Sequence, residues 1–152
     1  MSEVCRVASL VDTNILVYRC DPVDPEKNAK ARDLLRQGVA AKELYLPHQA
    51  LIEFVNAVTK PRAGGRSILS REETWRQAED LLNEFPVLYP NEKVFRIAML
   101  GMAGYKLPWY DAHLWAYAEH YGISELLSED FEHGRRYGTV RVRNPFLERG
   151  LA

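Results

Sequence analysis

A chain of 152 residues, 47% hydrophobic and 27% charged, can bury a substantial core as one domain and is too apolar to stay disordered. Its formal net charge of −1 excludes a strongly basic body, so any nucleic-acid contact must come from a local patch. Cys5 and Cys20 lack metal-type spacing and are too few for a disulfide framework, so reduced thiols and a cytoplasmic protein are expected, and no apolar run approaches the ~20 residues that a membrane helix needs.

The N-terminal stretch carries Glu3 and Arg6 and no long apolar segment, so no secretory signal is expected. A first strand is predicted from Arg6 to Val11, then a helix from about Asn14 to the turn at Asp21-Pro22. Pro25 is placed to open a second helix, which runs to about Ala41 with Ala31, Leu34 and Leu35 on one face. A short strand, Leu44-Tyr45-Leu46, precedes a helix opened by Pro47 and continuing to about Lys60. Ala50, Leu51, Phe54, Val55 and Val58 form its apolar stripe. Pro61-Arg62-Ala63-Gly64-Gly65-Arg66 is a basic loop. Ser70-Arg71-Glu72-Glu73 is a capping-box pattern, and the helix it opens is expected to turn Trp75, Ala78, Leu81 and Leu82 inward.

Val87-Leu88-Tyr89 reads as a strand. Asn91 caps a helix that ends near Gly104, and Pro108 opens another from Trp109 to Tyr121, stopped by Gly122. A buried strand is predicted from Ile123 to Leu127 and a last one from Thr139 to Val142, with a short helix from Glu132 to Arg136 as one reading of the segment between them. Strands alternating with helices predict an α/β fold, a mostly parallel central sheet covered by helices on both faces. No repeat, linker or low-complexity tract divides residues 1–152, which read as a single domain.

Four acids sit at the ends or edges of apolar segments: Asp12, Glu53, Asp111 and Asp130. Asp12 and Asp130 each follow a predicted strand, at the sheet edge where ligands bind in parallel α/β folds. Either could simply cap a helix. Glu53 lies beside its helix's apolar stripe, where a solvated Glu is common, and Asp111 sits in a first turn, where the helix dipole alone favours an acid. Brought together, the four would repel one another unless a cation neutralised them. Hard oxygen donors of this kind suit Mg²⁺ or Mn²⁺ and point to metal-assisted phosphodiester chemistry. Glu129 should be turned away by alternation. His48, His113, His120 and His133 show no ligand spacing and are read as packing or surface residues. No phosphate-binding glycine loop and no serine-nucleophile motif is present.

Taken together, these residues resemble a PIN domain. The likeness begins at Leu10-Val11-Asp12-Thr13-Asn14-Ile15-Leu16-Val17-Tyr18 and continues through Ile52-Glu53-Phe54 and Trp109-Tyr110-Asp111-Ala112. It ends with Leu127-Ser128-Glu129-Asp130-Phe131 and Asn144-Pro145-Phe146, so it spans nearly the whole chain. The length is similar to that of VapC-type toxins of type II toxin–antitoxin pairs. The resemblance implies a PIN-like three-layer α/β/α fold and a metal-dependent endoribonuclease, a homodimer held inactive by a small antitoxin. It assigns Asp12, Glu53, Asp111 and Asp130 to a catalytic Mg²⁺ or Mn²⁺ site, with Thr13 and Ser128 supporting the acids.

The implied reaction is hydrolysis of RNA to a 5′-phosphate and a 3′-hydroxyl. Lys60, Arg62, Arg66, Arg135 and Arg136 are the candidate contacts to the RNA backbone. Three other readings compete: a housekeeping PIN-type RNA-processing nuclease, an aspartyl phosphatase, and a binding module without turnover. The phosphatase chemistry wants a second Asp where this chain has Asn14, and a full acidic set argues against a purely binding role. Transfer, ribosomal and messenger RNA all fit the sequence as substrates.

Overall fold

The computed structural model describes residues 7–148. Twelve elements alternate along them: β1 (Ser9–Val11), α1 (Thr13–Cys20), α2 (Pro25–Ala41), β2 (Leu44–Pro47), α3 (His48–Thr59), α4 (Arg71–Glu84), β3 (Val87–Leu88), α5 (Glu92–Gly104), α6 (Trp109–Tyr121), β4 (Glu125–Leu127), β5 (Arg136–Tyr137) and β6 (Val140–Arg143). The strands form one sheet in the order β3-β2-β1-β4-β6-β5. All neighbours are parallel except the last pair, β5 and β6. Arg6, the expected start of β1, and Cys5 lie outside the described residues.

Alternation along the central strands sorts the core into two halves, as the pleat requires. Leu10 and Leu126 face α5 and α6, joining Val94, Ala98, Ala112 and Trp115. Val11 and Leu127 face the other way, joining Ile15 of α1, Leu35 of α2, Phe54 of α3 and Leu81 of α4. The sheet is therefore the middle of three layers. No helix among the described residues is long and apolar enough to cross a membrane.

Local chemistry sets the helix ends. Asp24 accepts from Lys27 N at the start of α2, where Pro25 is the first residue. Ser70 and Glu73 form the capping box of α4, Asn91 accepts from Val94 N at α5, and Gly122 ends α6 in the left-handed region. α3 begins at Pro47, which offers no side-chain cap.

Two expectations fail. Trp75 and Leu82 are 72% and 47% exposed. α4 rests on the body along the narrow line of Thr74 and Leu81, seven residues apart, so its apolar stripe is wider than the face it buries. The segment from Glu132 to Arg136 is not a helix either. Gly134 adopts φ +81°, its N–H donates to Val142 O at 2.9 Å, and Val142 N donates back to Arg135 O at 2.9 Å. Pairing with β6 outcompetes a single isolated helical turn.

The α5–α6 contact depends on a missing side chain. A Cβ on Gly101 would lie 2.6 Å from the Trp115 ring. That ring is held by its N–H bond to Tyr137 O at 2.9 Å. Alanine would gain about 1 kcal/mol of helix propensity against roughly 1–3 kcal/mol of overpacking. Gly101→Ala should therefore lower stability in a urea melt, and an unchanged midpoint would mean that the indole can yield.

Candidate active site

β1 pairs with β2 on one side and β4 on the other, and the chain leaves the carboxyl ends of β1 and β4 in opposite directions. Such a switch point opens a crevice at the strand ends. Asp12 follows β1 there, its N–H extending the ladder to Leu127 O at 2.9 Å. It is 2% exposed. One carboxylate oxygen accepts from Thr13 N at 2.6 Å and the other from Ser128 Oγ at 2.5 Å. Ser128, fully buried after β4, in turn accepts from Asp130 N at 3.0 Å.

The other acids arrive from helices and join the same network. Thr13 Oγ1 donates to Glu53 Oε2 at 2.7 Å. Gln49, one helical turn before Glu53, donates its amide to Glu53 Oε1 at 3.0 Å and to Tyr110 O at 3.0 Å, just ahead of Asp111 in the first turn of α6. Asn14 Nδ2 donates to Asp130 Oδ2 at 3.1 Å. Each amide leaves an oxygen, Asn14 Oδ1 and Gln49 Oε1, buried without a hydrogen-bond partner.

The carboxylates feel one another's charge. Asp12 is pushed up to about 7, first by burial and then by Asp130 and Asp111, against the opposing bonds from Ser128 and Thr13. Asp111 is pushed up to about 6 by burial, Asp130 and Glu53. Asp130 is raised by burial first, then by Glu129 and Glu53, while Asn14 pulls it down. The structure thus gathers Asp12, Thr13, Glu53, Asp111, Ser128 and Asp130 at one crevice. As placed, no three Asp, Glu, His or Cys side chains among the described residues are arranged to hold an ion. Neutral donors occupy oxygens of Asp12, Glu53 and Asp130. The donor set, all hard oxygen, nevertheless fits Mg²⁺ or Mn²⁺ by chemistry.

β4 ends at Leu127, so strand alternation does not reach Glu129, which takes partners outside the acid network. It accepts from Lys27 Nζ at 2.8 Å and from Tyr18 OH. The candidate cations fare unequally. Lys60, Arg62, Arg66, Arg135 and Arg136 are exposed. Arg62, however, pairs with Asp21 and overcomes its burial to hold that carboxyl below the usual range. Asp21 follows the last residue of α1, about 12 Å of helical rise from the acids, so the glycine loop is anchored at the far end of that helix. Arg135 pairs with Glu132 at 3.4 Å and stacks over Tyr137. The histidines pack: His113 among Phe95, Trp109 and Tyr117, and His133 accepting from Asn144 N at 2.9 Å. Sequence reasoning missed Asn14 and Gln49. The spacing of Gln49 and Glu53, four apart on one helix face, was the available signal.

The PIN domain family model matches residues 9–138. Among solved structures, the chain is similar to DNA-bound VapBC from Salmonella typhimurium, at 15% identity over 91% of this chain and 98% of that one, with a TM-score of 0.65. It is also similar to FitAB bound to an IR36 DNA fragment, at 19% identity over 94% and 99%, TM-score 0.64. A third likeness is to Mycobacterium tuberculosis VapC20, a toxin that cleaves the sarcin–ricin loop, at 16% identity over 81% and 92%, TM-score 0.60. At such identities the likeness is one of fold. No curated protein matches the chain.

Proposed function

Because the chain belongs to the PIN domain family, we propose that it is a Mg²⁺- or Mn²⁺-dependent endoribonuclease and the toxin of a type II toxin–antitoxin pair. The observation that carries the nuclease reading is the meeting of Asp12, Asp111 and Asp130, all three raised, with Glu53 at the crevice beside the carboxyl ends of β1 and β4. On this reading Asp12, Glu53, Asp111 and Asp130 hold the ion. When bound, it would activate water for attack and offset charge on the leaving oxygen.

The chain's own residues do the rest. Ser128 and Thr13 fix the carboxylates of Asp12 and Glu53 through the bonds described above. On this reading water is the attacking group. Breaking the bond from phosphorus to the 3′ oxygen leaves a 5′-phosphate and a 3′-hydroxyl. Tyr110, 68% exposed and next to Asp111, offers a ring on which an unpaired base can stack, which favours single-stranded segments of RNA. The toxin role draws support from the fold shared with VapBC and FitAB, which were crystallised as complexes. A cytoplasmic homodimer of single-domain subunits with a small antitoxin partner belongs to the same reading.

The direct test is cleavage of a mixed RNA by purified protein with Mn²⁺, Mg²⁺ or EDTA. Cleavage is expected only with metal, and the new 5′ ends should carry phosphate. Metal-independent cutting, or turnover of a generic phosphomonoester in place of RNA, would overturn the proposal. Binding to the folded state alone should also stabilise it, by about 2.7 kcal/mol at a hundred times the dissociation constant. A melting temperature unmoved by millimolar Mn²⁺ counts against a site at these acids.

A further inference from the structure

We propose that Gln49 is a positioning residue that sets Glu53 against Asp111 for a hydrated divalent cation. The inference deepens the nuclease reading and takes its cation from it. Glu53 lies on α3 and Asp111 on α6, and the charge of Glu53 raises Asp111. Repulsion would drive the two carboxylates apart. Gln49 opposes this with two bonds from a single nitrogen, one to Glu53 Oε1 and one to Tyr110 O, each 3.0 Å. The residue therefore ties the first turn of α3 to the first turn of α6.

Chemistry settles which way the amide faces. A reversed amide would set its carbonyl oxygen against a carboxylate and a backbone carbonyl, two acceptors with no proton to share. With the NH₂ group inward, Oε1 is buried and has no partner. A buried acceptor without a donor is costly. Magnesium-like ions keep several of their waters, and those waters carry the donors that an acidic crevice otherwise lacks. With an ion bound, Gln49 Oε1 would accept from such a water, so the same side chain would hold Glu53 near Asp111 and steady the hydration shell.

The test compares Gln49→Met, of similar length and helix propensity but without either hydrogen bond, with wild type and with Gln37→Met on the exposed face of α2. Mn²⁺ binding is titrated calorimetrically without RNA, and stability is measured by urea melts in EDTA. Mn²⁺ affinity should fall roughly tenfold or more in Gln49→Met and hold in Gln37→Met. Cleavage should need more Mn²⁺ for half its maximal rate, while the rate at saturating Mn²⁺ stays within a few-fold of wild type. Unchanged affinity overturns the proposal. So does a loss of affinity matched by an equal loss of stability in EDTA, which marks a merely structural contact. If Gln49→Met does not fold, Gln49→Ala carries the same comparison. Wild-type protein that binds Mn²⁺ but cuts no RNA removes the nuclease reading and leaves this one. Wild type that cuts RNA, with Gln49→Met binding normally, does the reverse, and wild type that binds no Mn²⁺ removes both.

Discussion

Asp12→Asn should make the metal-free protein more stable at neutral pH while reducing RNA cleavage at least a hundredfold, the scale expected when a group central to a catalytic site is lost. Asp12 titrates near 7 in the fold against 3.8 for the free side chain. The native state thus holds its proton more tightly than the unfolded chain does. Stability from this group is intact below about pH 4, declines as pH rises, and is lost once pH passes 7. A shift of about three pH units corresponds to at most ~4 kcal/mol. Asparagine removes the charge and keeps the shape. Its oxygen still accepts from Thr13 N, and its NH₂ can donate to Ser128 Oγ by turning the hydroxyl of that bond. Urea melts in EDTA at pH 4.5 and 7.5 should show a larger decline in wild type than in the variant, in which the raised Asp111 and Asp130 still titrate. A variant less stable than wild type at pH 7.5 would make Asp12 a structural cap, and full cleavage activity would remove it from the site.

What the sequence made legible was local. Asn91, Pro108 and Gly122 mark the bounds of α5 and α6 because a cap acts within one turn. Asp12 and Asp130 could be placed because each follows an apolar strand, and parallel strands share an edge, whereas Ser128 came from likeness to a family. Glu53 had no such marker, and its place in the site came from likeness to a family. Contacts made across the chain stayed hidden. Arg62 looks like a free cation in a glycine loop until Asp21, 41 residues away, claims it. The role of Gln49 depends on Tyr110, 61 residues on. β5 forms only because β6 is there to pair with it, and its two residues carry no strand signal alone. Trp75 fits a helical stripe, but no period says how much of a stripe a neighbouring helix will cover.

Expression of the wild-type chain alone should arrest growth, and Asp111→Asn should abolish the arrest while leaving a folded protein. Asp111 is the acid to choose here. It is half-buried and raised to about 6 by burial, Asp130 and Glu53, so losing its charge relieves repulsion and should not unfold the chain. Toxicity that survives Asp111→Asn would come from somewhere other than this crevice. Coexpression of a small protein encoded next to this gene should restore growth. The segment of that partner lying over Asp12, Glu53, Asp111 and Asp130 should be basic, because a Lys or Arg can offset there the charge that a metal would. Its hold should then weaken as salt screens the pair, measured as inhibition of RNA cleavage at rising ionic strength. Cleavage in vitro with no effect on growth would instead make the protein a housekeeping nuclease. Inhibition unaffected by salt would place the partner's grip on an apolar face, away from the acids.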